Sequence, residues 1–506
     1  MEVISAAPAG AAEVRPARDT RHGFGGDVLR LATGTLSAQL ICILAAPLIA
    51  RMFAPSAFGE LAIFSAVVST ISVISCLRYE VAIYLPQRDE EAANLVALSL
   101  ALVAAITAST ALTSWLVGDF LLRLAHVPQL RSYLWLMPLN ILISGVWMIL
   151  NTWNQRKRRF GRITILQVVT RVAMVGSQIA AGFAGFVSGG TLIATTIFGA
   201  FVTAAVLGGQ TVWDDWALFR SAISWNTVSH VRKRYDKFPR FGLPATLLNS
   251  TSFQLPVILL SGFFNMAVVG NYSFGFRVLR VPGMLIGANV NRAFFPRAAE
   301  AKHRGTLGHS VELALQYLIT LSFFPCFLLT LTGGALFTFA FGPKWHEAGV
   351  YAQILSVWLF FWFVSSPLNT VFVVLEEQAL ELRFQAANII ARFISLVAGG
   401  LIGNARLAIT LFALCGVVVY GSYCAAVIRK SGASAKAVGR IALSRAAMFA
   451  PVVVIMVALR SFSAPPAVIV GVTAIILAAY YWNLLRTDSI VRGVFKRFVR
   501  YPSRPA

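Results

Sequence analysis

The chain is 506 residues long, 58% hydrophobic and only 12% charged, with a formal net charge of +23. Apolar stretches of about 20 residues recur along almost its whole length. The polar segments between them are too short to fold as a soluble domain, so the numbers exclude a soluble multidomain protein and predict an all-α polytopic membrane protein.

In chain order, residues 1–30 form a polar segment with Arg15, Arg18, Arg21 and Arg30 among Glu2, Glu13, Asp19 and Asp27. With no apolar core before Leu31, it does not read as a cleavable signal peptide. Fourteen spans follow, near 31–53, 58–77, 93–117, 133–153, 163–186, 190–208, 241–263, 267–291, 311–337, 348–374, 383–403, 406–428, 443–462 and 467–485. Residues 31–208 make a first lobe of six helices and 241–428 a second lobe of six. Residues 429–485 add helices 13 and 14, and 486–506 are a basic tail.

Between the lobes, residues 209–240 are basic yet carry Trp213, Trp216, Phe219 and Ile223 at helical spacing, which predicts an amphipathic interfacial linker. A faint echo crosses it. Ser37-Ala38-Gln39-Leu40 resembles Ser252-Phe253-Gln254-Leu255, each in the first helix of its half, and Gly59 and Gly270 follow. Internal duplication is how transporters place a substrate site between two halves.

If the N-terminus is cytoplasmic, 33 of the 43 basic residues fall on cytoplasmic segments and six on the other side, with four inside spans. That asymmetry satisfies the positive-inside rule and predicts both termini in the cytoplasm. Basic residues spread beside helices are orientation signals, not a nucleic-acid footprint, so no nucleic-acid partner is expected. The runs Arg156-Lys157-Arg158-Arg159 and Arg232-Lys233-Arg234 read as topology determinants that touch anionic headgroups.

The intramembrane four are Arg171, Arg277, Arg280 and Arg392, and no Asp, Glu or His lies at comparable depth. Each costs about 2.5–3.5 kcal/mol on insertion scales, so a wet cavity and an anionic guest are expected. Snorkelling or the capping of a broken helix is the competing reading, although the four lie deep in their spans. Gln167, Arg171 and Gln178 lie along one face of span 5, and Gln385, Asn388, Arg392 and Ser395 form a polar stripe in span 11. Arg277 and Arg280, three apart in span 8, can reach one ligand together. Asn140, Ser144 and Asn151 make another polar face in span 4. For the neutral residues, ordinary interhelical hydrogen bonding competes with ligand binding. Arginine suits phosphate because its planar fork donates two hydrogen bonds and stays charged.

Prolines 47, 138, 244, 256, 282, 325, 367 and 451 lie within or near span ends, where they permit kinks. Cys42, Cys76, Cys326, Cys415 and Cys424 have no metal-ligand spacing and read as packing thiols. No catalytic residue, metal site or cofactor is expected.

At the end of span 2 the chain reads Leu77-Arg78-Tyr79-Glu80-Val81-Ala82-Ile83-Tyr84-Leu85-Pro86, then Glu90-Glu91-Ala92-Ala93-Asn94-Leu95. Span 8 reads Gly270-Asn271-Tyr272-Ser273, Arg277-Val278-Leu279 and Pro282, then Ile286-Gly287 and Phe294-Phe295-Pro296-Arg297-Ala298-Ala299. These blocks resemble the bacterial polysaccharide transporter (O-antigen flippase, Wzx-like) family, and the likeness runs through most of residues 25–430.

The resemblance implies the fold of the multidrug/oligosaccharidyl-lipid/polysaccharide exporter superfamily, two six-helix lobes around a central V-shaped cavity with two helices appended. It implies a transporter, not an enzyme, that carries undecaprenyl-diphosphate-linked oligosaccharide of O-antigen or exopolysaccharide across the inner membrane. A polysaccharide polymerase and a chain-length regulator are the partner proteins that role calls for, with membrane lipids around it. The lack of intramembrane carboxylates sets the chain apart from proton-coupled exporters of cationic drugs, while sodium held by neutral oxygens stays open. A lipid II-type flippase or a multidrug exporter of the same superfamily is the alternative, and a polytopic glycan polymerase a more distant one. Arg78 and Glu80 read either as an anchor pair at the helix end or as a cytoplasmic gate for a phosphate headgroup.

Overall fold

A computed structural model describes residues 20–487 apart from 125–126; the side chains of 20–33, 121, 124, 282–293 and 296 are outside the description. The expected N-terminal segment therefore falls largely, and the basic tail almost wholly, outside the described residues. The described chain is helical, with fourteen long helices: α1 (Thr20–Met52), α2 (Pro55–Ser75), α3 (Asp89–Leu124), α4 (Leu136–Arg156), α5 (Phe160–Phe183), α6 (Gly189–Ala222) and α7 (Leu243–Phe263), then α8 (Met266–His303), α9 (Leu307–Phe341), α10 (His346–Ser365), α11 (Gln378–Leu401), α12 (Ala405–Ser431), α13 (Ala435–Ser461) and α14 (Pro466–Thr487). Thirteen of them are long and apolar enough to cross a membrane, judged on the described residues. The remaining one, α8, runs 38 residues and carries Arg277 and Arg280.

Local chemistry sets the ends. Pro55 opens α2, where its missing N–H costs nothing. The Asn265 side chain accepts from the Val268 amide to start α8, and Gly432 ends α12 in the left-handed region at φ 74°. Nothing breaks α6 near residue 208, so this helix continues to Ala222, beyond the expected end of the span. Ser224 then caps a separate helix, Trp225–Arg234, by accepting from the Thr227 amide. The aromatic face expected of the linker is thereby divided: Trp213 and Trp216 are exposed on α6, while Phe219 packs on Trp153 with ring centroids 5.0 Å apart.

In the first lobe α1 packs on α5, α5 on α6, and α4 on both α3 and α6. In the second, α10 packs between α9 and α12, and α11 between α7 and α12. The appended α13 and α14 lie on α9, where the Tyr480 and Tyr481 hydroxyls donate to the carbonyls of Thr320 and Leu321.

The lobes meet along α2, which lies against α8 and α7. Gly59 and Gly270, the two echoed glycines, face each other there: a Cβ on Gly59 would strike the Met266 carbonyl, and one on Gly270 the Pro55 carbonyl. Such close approach of backbones needs small residues. Beside this crossing, Trp345 Nε1 donates to the Ala50 carbonyl at 2.7 Å, Lys344 Nζ to the Arg51 carbonyl at 2.9 Å, and Arg51 to the Phe339 carbonyl at 3.2 Å. Phe58, Phe274 and Trp345 fill the space behind, with Phe274 and Trp345 centroids 4.2 Å apart. This closure lies at one end of the bundle. At the other end, the basic face, the described ion pairs stay within a lobe or tie the linker to the first lobe.

Replacing Gly270 with Leu is expected to force α2 and α8 apart and to cost about 1–3 kcal/mol of overpacking. Thermal unfolding of the purified protein checks this, and an unchanged midpoint would show that the crossing is looser than described.

Candidate functional site

The four arginines form two pairs. Arg171 of α5 and Arg277 of α8 are both exposed although they lie deep in membrane-spanning helices. Arg277 lies near enough to Arg171 of the other lobe, and to Cys42 of α1, for their charges to act on it. Arg171 makes one weak contact, from Nη1 to the Met174 sulfur at 3.9 Å. One turn nearer the basic face, Gln167 accepts from the Thr35 hydroxyl of α1 at 3.1 Å. Gln178, further along α5, is buried.

Arg280 and Arg392 lie inside the second lobe. Arg392 of α11 donates to the Ser252 carbonyl of α7 at 3.3 Å and to the Tyr420 hydroxyl of α12 at 3.4 Å. Asn388 donates to the same hydroxyl at 3.2 Å, and Ser395 bonds back to its own helix. Gln385, at the start of the stripe, is exposed. The Arg280 guanidinium lies 5.7 Å from the Phe253 ring and 5.5 Å from Phe276; Arg392 lies 6.0 Å from Phe253 and 5.8 Å from Phe412. Cation–π contacts offset part of the cost of desolvating these charges, by about 2 kcal/mol at best where water is excluded. Although Arg277 and Arg280 share a helix, three residues turn the side chain by about 60°, enough to put one in the interlobe space and the other in the lobe interior.

Tyr420 escapes a search for polar stripes, since it is a single hydroxyl in a mostly apolar run. Phe253 was visible only as a letter of the repeated Ser-Phe-Gln-Leu block. Its neighbour Gln254 donates to Ser69 of α2 at 2.9 Å, joining the lobes at mid-height. In span 4, Ser144 donates to Asn140 within one helix.

A second, larger cavity of about 720 Å³ lies between α2, α3 and α7, lined by Ile63, Ile71, Ile106, Leu130 and Ile258 with a few hydroxyls. It contains no cation, so it cannot balance a charged guest.

Arg78 and Glu80 lie where the chain leaves α2. Leu77 and Arg78 both adopt left-handed backbone, φ 47° and 67°, a strained geometry for residues with a Cβ. Their neighbours hold them: Arg78 pairs with Glu80 at 3.2 Å, and the Tyr79 hydroxyl donates to the Arg232 carbonyl of the linker. From α4, Arg156 donates to the carbonyls of Ile83, Tyr84 and Pro86 and pairs with Asp89, which Lys157 also binds at 2.6 Å. Asn94 of α3 donates to the Ala222 carbonyl and accepts from the Ser224 amide. The motif block thus ties α2, α3, α4 and the linker into one knot on the basic face.

This is the architecture of a two-lobed polytopic membrane protein, with basic residues beside the seam between its lobes. The family described as "Polysaccharide biosynthesis protein" matches residues 48–350, more than half of the chain, and the chain belongs to that family. A curated relative, the teichuronic acid biosynthesis protein TuaB of Bacillus subtilis (strain 168), is 26% identical over 145 residues, 28% of this chain; the matched region spans only 30% of that relative's length. Among solved structures, the lipid II flippase MurJ in an inward closed conformation superposes with a TM-score of 0.69 at 10% identity, covering 90% of this chain and 98% of that one. An inward-facing multidrug resistance MATE family transporter of the MOP superfamily follows at 0.58, with 16% identity, 81% of this chain and all of that one.

Two outcomes are expected. Glu80 is 3% exposed, and burial pushes its carboxyl above the ordinary glutamate value of 4.5, against the opposing pull of its backbone hydrogen bond and of Arg78. A raised value means that the stability from this group is complete below the ordinary value and lost as pH rises through the raised one. Glu80→Gln should therefore gain thermal stability relative to the parent at neutral pH and lose that advantage in acid; a difference independent of pH would contradict this. Tyr420→Phe removes the shared acceptor of Asn388 and Arg392, and should lower stability by about 1–3 kcal/mol in denaturation of the purified protein.

Proposed function

We propose that the protein moves a polyprenyl-diphosphate-linked oligosaccharide, of the O-antigen or exopolysaccharide type, across the bacterial inner membrane by alternating access. The observation that carries this reading is the pair Arg171 and Arg277, two exposed arginines from opposite lobes, deep in their helices and close enough for one charge to act on the other. Like charges held together in that place need an anion between them, and a diphosphate presents the oxygens that two planar forks can grip. Family membership and the flippase-type fold support a saccharide cargo on a lipid.

The basic face is then cytoplasmic, as the positive-inside asymmetry requires, and both termini lie there. The described state is closed on the outer side by Gly59, Gly270 and Trp345. The glycan and diphosphate enter from the cytoplasmic side with the polyprenyl tail left in lipid, and rocking of the lobes opens the outer closure. Because the helices α1, α5 and α8 bring Gln167, Thr35 and the two arginines to one space, headgroup binding and lobe approach are coupled: an anion between Arg171 and Arg277 removes the repulsion that holds the lobes apart. No bond in the substrate is made or broken. An inside-negative potential favours outward movement of an anion by about 2.3 kcal/mol per charge per 100 mV. Sugar polymerases and chain-length regulators are the partner class that would consume the product outside.

Deleting the gene should make lipid-linked glycan accumulate on the cytoplasmic leaflet, and Arg171→Ala or Arg277→Ala should fail to restore export, whereas Lys at either position restores part of it. Normal export by both alanine variants would overturn the reading. In vesicles, collapsing the potential should slow flipping; unchanged flipping that stops when a sodium or proton gradient is removed would assign the driving force to cation coupling instead.

A further inference from the structure

The second arginine pair has a different environment. Arg280 and Arg392 line a pocket of about 10 Å³ whose other walls include Phe253, Tyr272, Trp358 and Phe412. That space is small and excludes a diphosphate. Three of the side chains around it carry buried N–H groups with no hydrogen-bond partner: Nε of Arg280, Nε of Arg392 and the indole Nε1 of Trp358. Arg392 and Trp358 are 8% and 2% exposed, so open water does not satisfy them. The charged or titratable groups acting on Arg280 are Tyr272 and Arg392, and no carboxylate is among them.

The pocket is therefore lined by three residues with unpaired N–H donors, two of them positively charged. A water molecule there could accept two of these N–H bonds but would have to place its own protons against aromatic rings and guanidiniums. A monoatomic anion accepts from all the donors, has no proton to place, and neutralises one of the two charges. Burial favours charge neutralisation here, because two like charges in a low-dielectric interior without a counter-ion are costly.

We propose that Arg280, Arg392 and Trp358 form a site for a single halide-sized monovalent anion inside the second lobe, separate from the interlobe pair Arg171 and Arg277. The bound ion locks α7, α8, α10 and α11 around Phe253. Two of those helices also contact α2 of the first lobe, so occupancy fixes the surface on which the lobes rock.

The test uses the full chain in lipid nanodiscs at constant ionic strength. Iodide is titrated against gluconate while tryptophan emission is followed, since Trp358 and Trp362 both line the pocket. Saturable quenching is expected, with chloride competing and inorganic phosphate not. Arg392→Gln should weaken the apparent iodide affinity at least about tenfold, as expected for loss of a charged hydrogen-bond donor, while Arg277→Ala leaves it unchanged. Exposed tryptophans such as Trp213 and Trp225 are quenched by collision, and purely linear quenching equal in both variants and parent would overturn the site. Displacement of iodide by phosphate would also overturn it, by assigning the pocket to a headgroup. Should Arg392→Gln fail to fold, equilibrium binding of radioactive chloride to the parent protein decides: one ion per chain supports the site, and no saturable binding rejects it.

Discussion

Guanidinium groups without carboxylates in the membrane interior are the constraint on which the rest of this structure depends. A charge in hydrocarbon must find water, a counter-ion or an aromatic face. Each of the four arginines has a different subset of these. Arg171 and Arg277 have the open space between the lobes, whereas Arg280 and Arg392 have rings, one backbone carbonyl and one phenol. The first pair is exposed, so under the proposed function it suits a transient guest. The second pair is enclosed by α7, α8, α11 and α12 and suits a resident one.

The closure beside Gly59 and Gly270 has the opposite character. It is built from backbone against backbone and from side chains donating to main-chain carbonyls, Trp345 to Ala50, Lys344 to Arg51 and Arg51 to Phe339. Hydrogen bonds to main-chain carbonyls at a helix end are individually worth about 1 kcal/mol. A seam of such bonds holds the lobes at one end without committing a buried ion pair, whose separation would leave an uncompensated charge. The basic face is arranged differently again. Its carboxylates, Asp89, Glu91 and Asp215 among them, are used inside the first lobe and on the linker, which makes that end a rigid knot rather than a bridge between lobes.

Much of this was legible in the sequence because the membrane enforces one simple rule: helices of about 20 apolar residues. A long helix covers each of the fourteen expected spans, thirteen of them long and apolar enough to cross a membrane among the described residues, and the paired Gly59 and Gly270 echo each other in the sequence. What could not be read is direction. Arg277 and Arg280 lie on neighbouring faces of one helix, and only the packing of α8 against α2 on one side and α10 on the other decides that they look into different spaces. The extension of α6 past residue 208 was hidden because a basic, tryptophan-bearing segment resembles an interfacial helix whether or not it continues the span before it. Tyr420 and Trp358 were missed for a related reason: a lone hydroxyl or indole in an apolar run has no periodicity to reveal it.

The central claim is that Arg171 and Arg277 together hold the diphosphate of the cargo. Native mass spectrometry of the protein with a short-chain polyprenyl diphosphate measures this directly. The account predicts one bound lipid in the parent, strongly reduced occupancy for Arg171→Gln and for Arg277→Gln, and little binding of the corresponding polyprenyl alcohol. Equal occupancy of alcohol and diphosphate, or full binding by both glutamine variants, would contradict it.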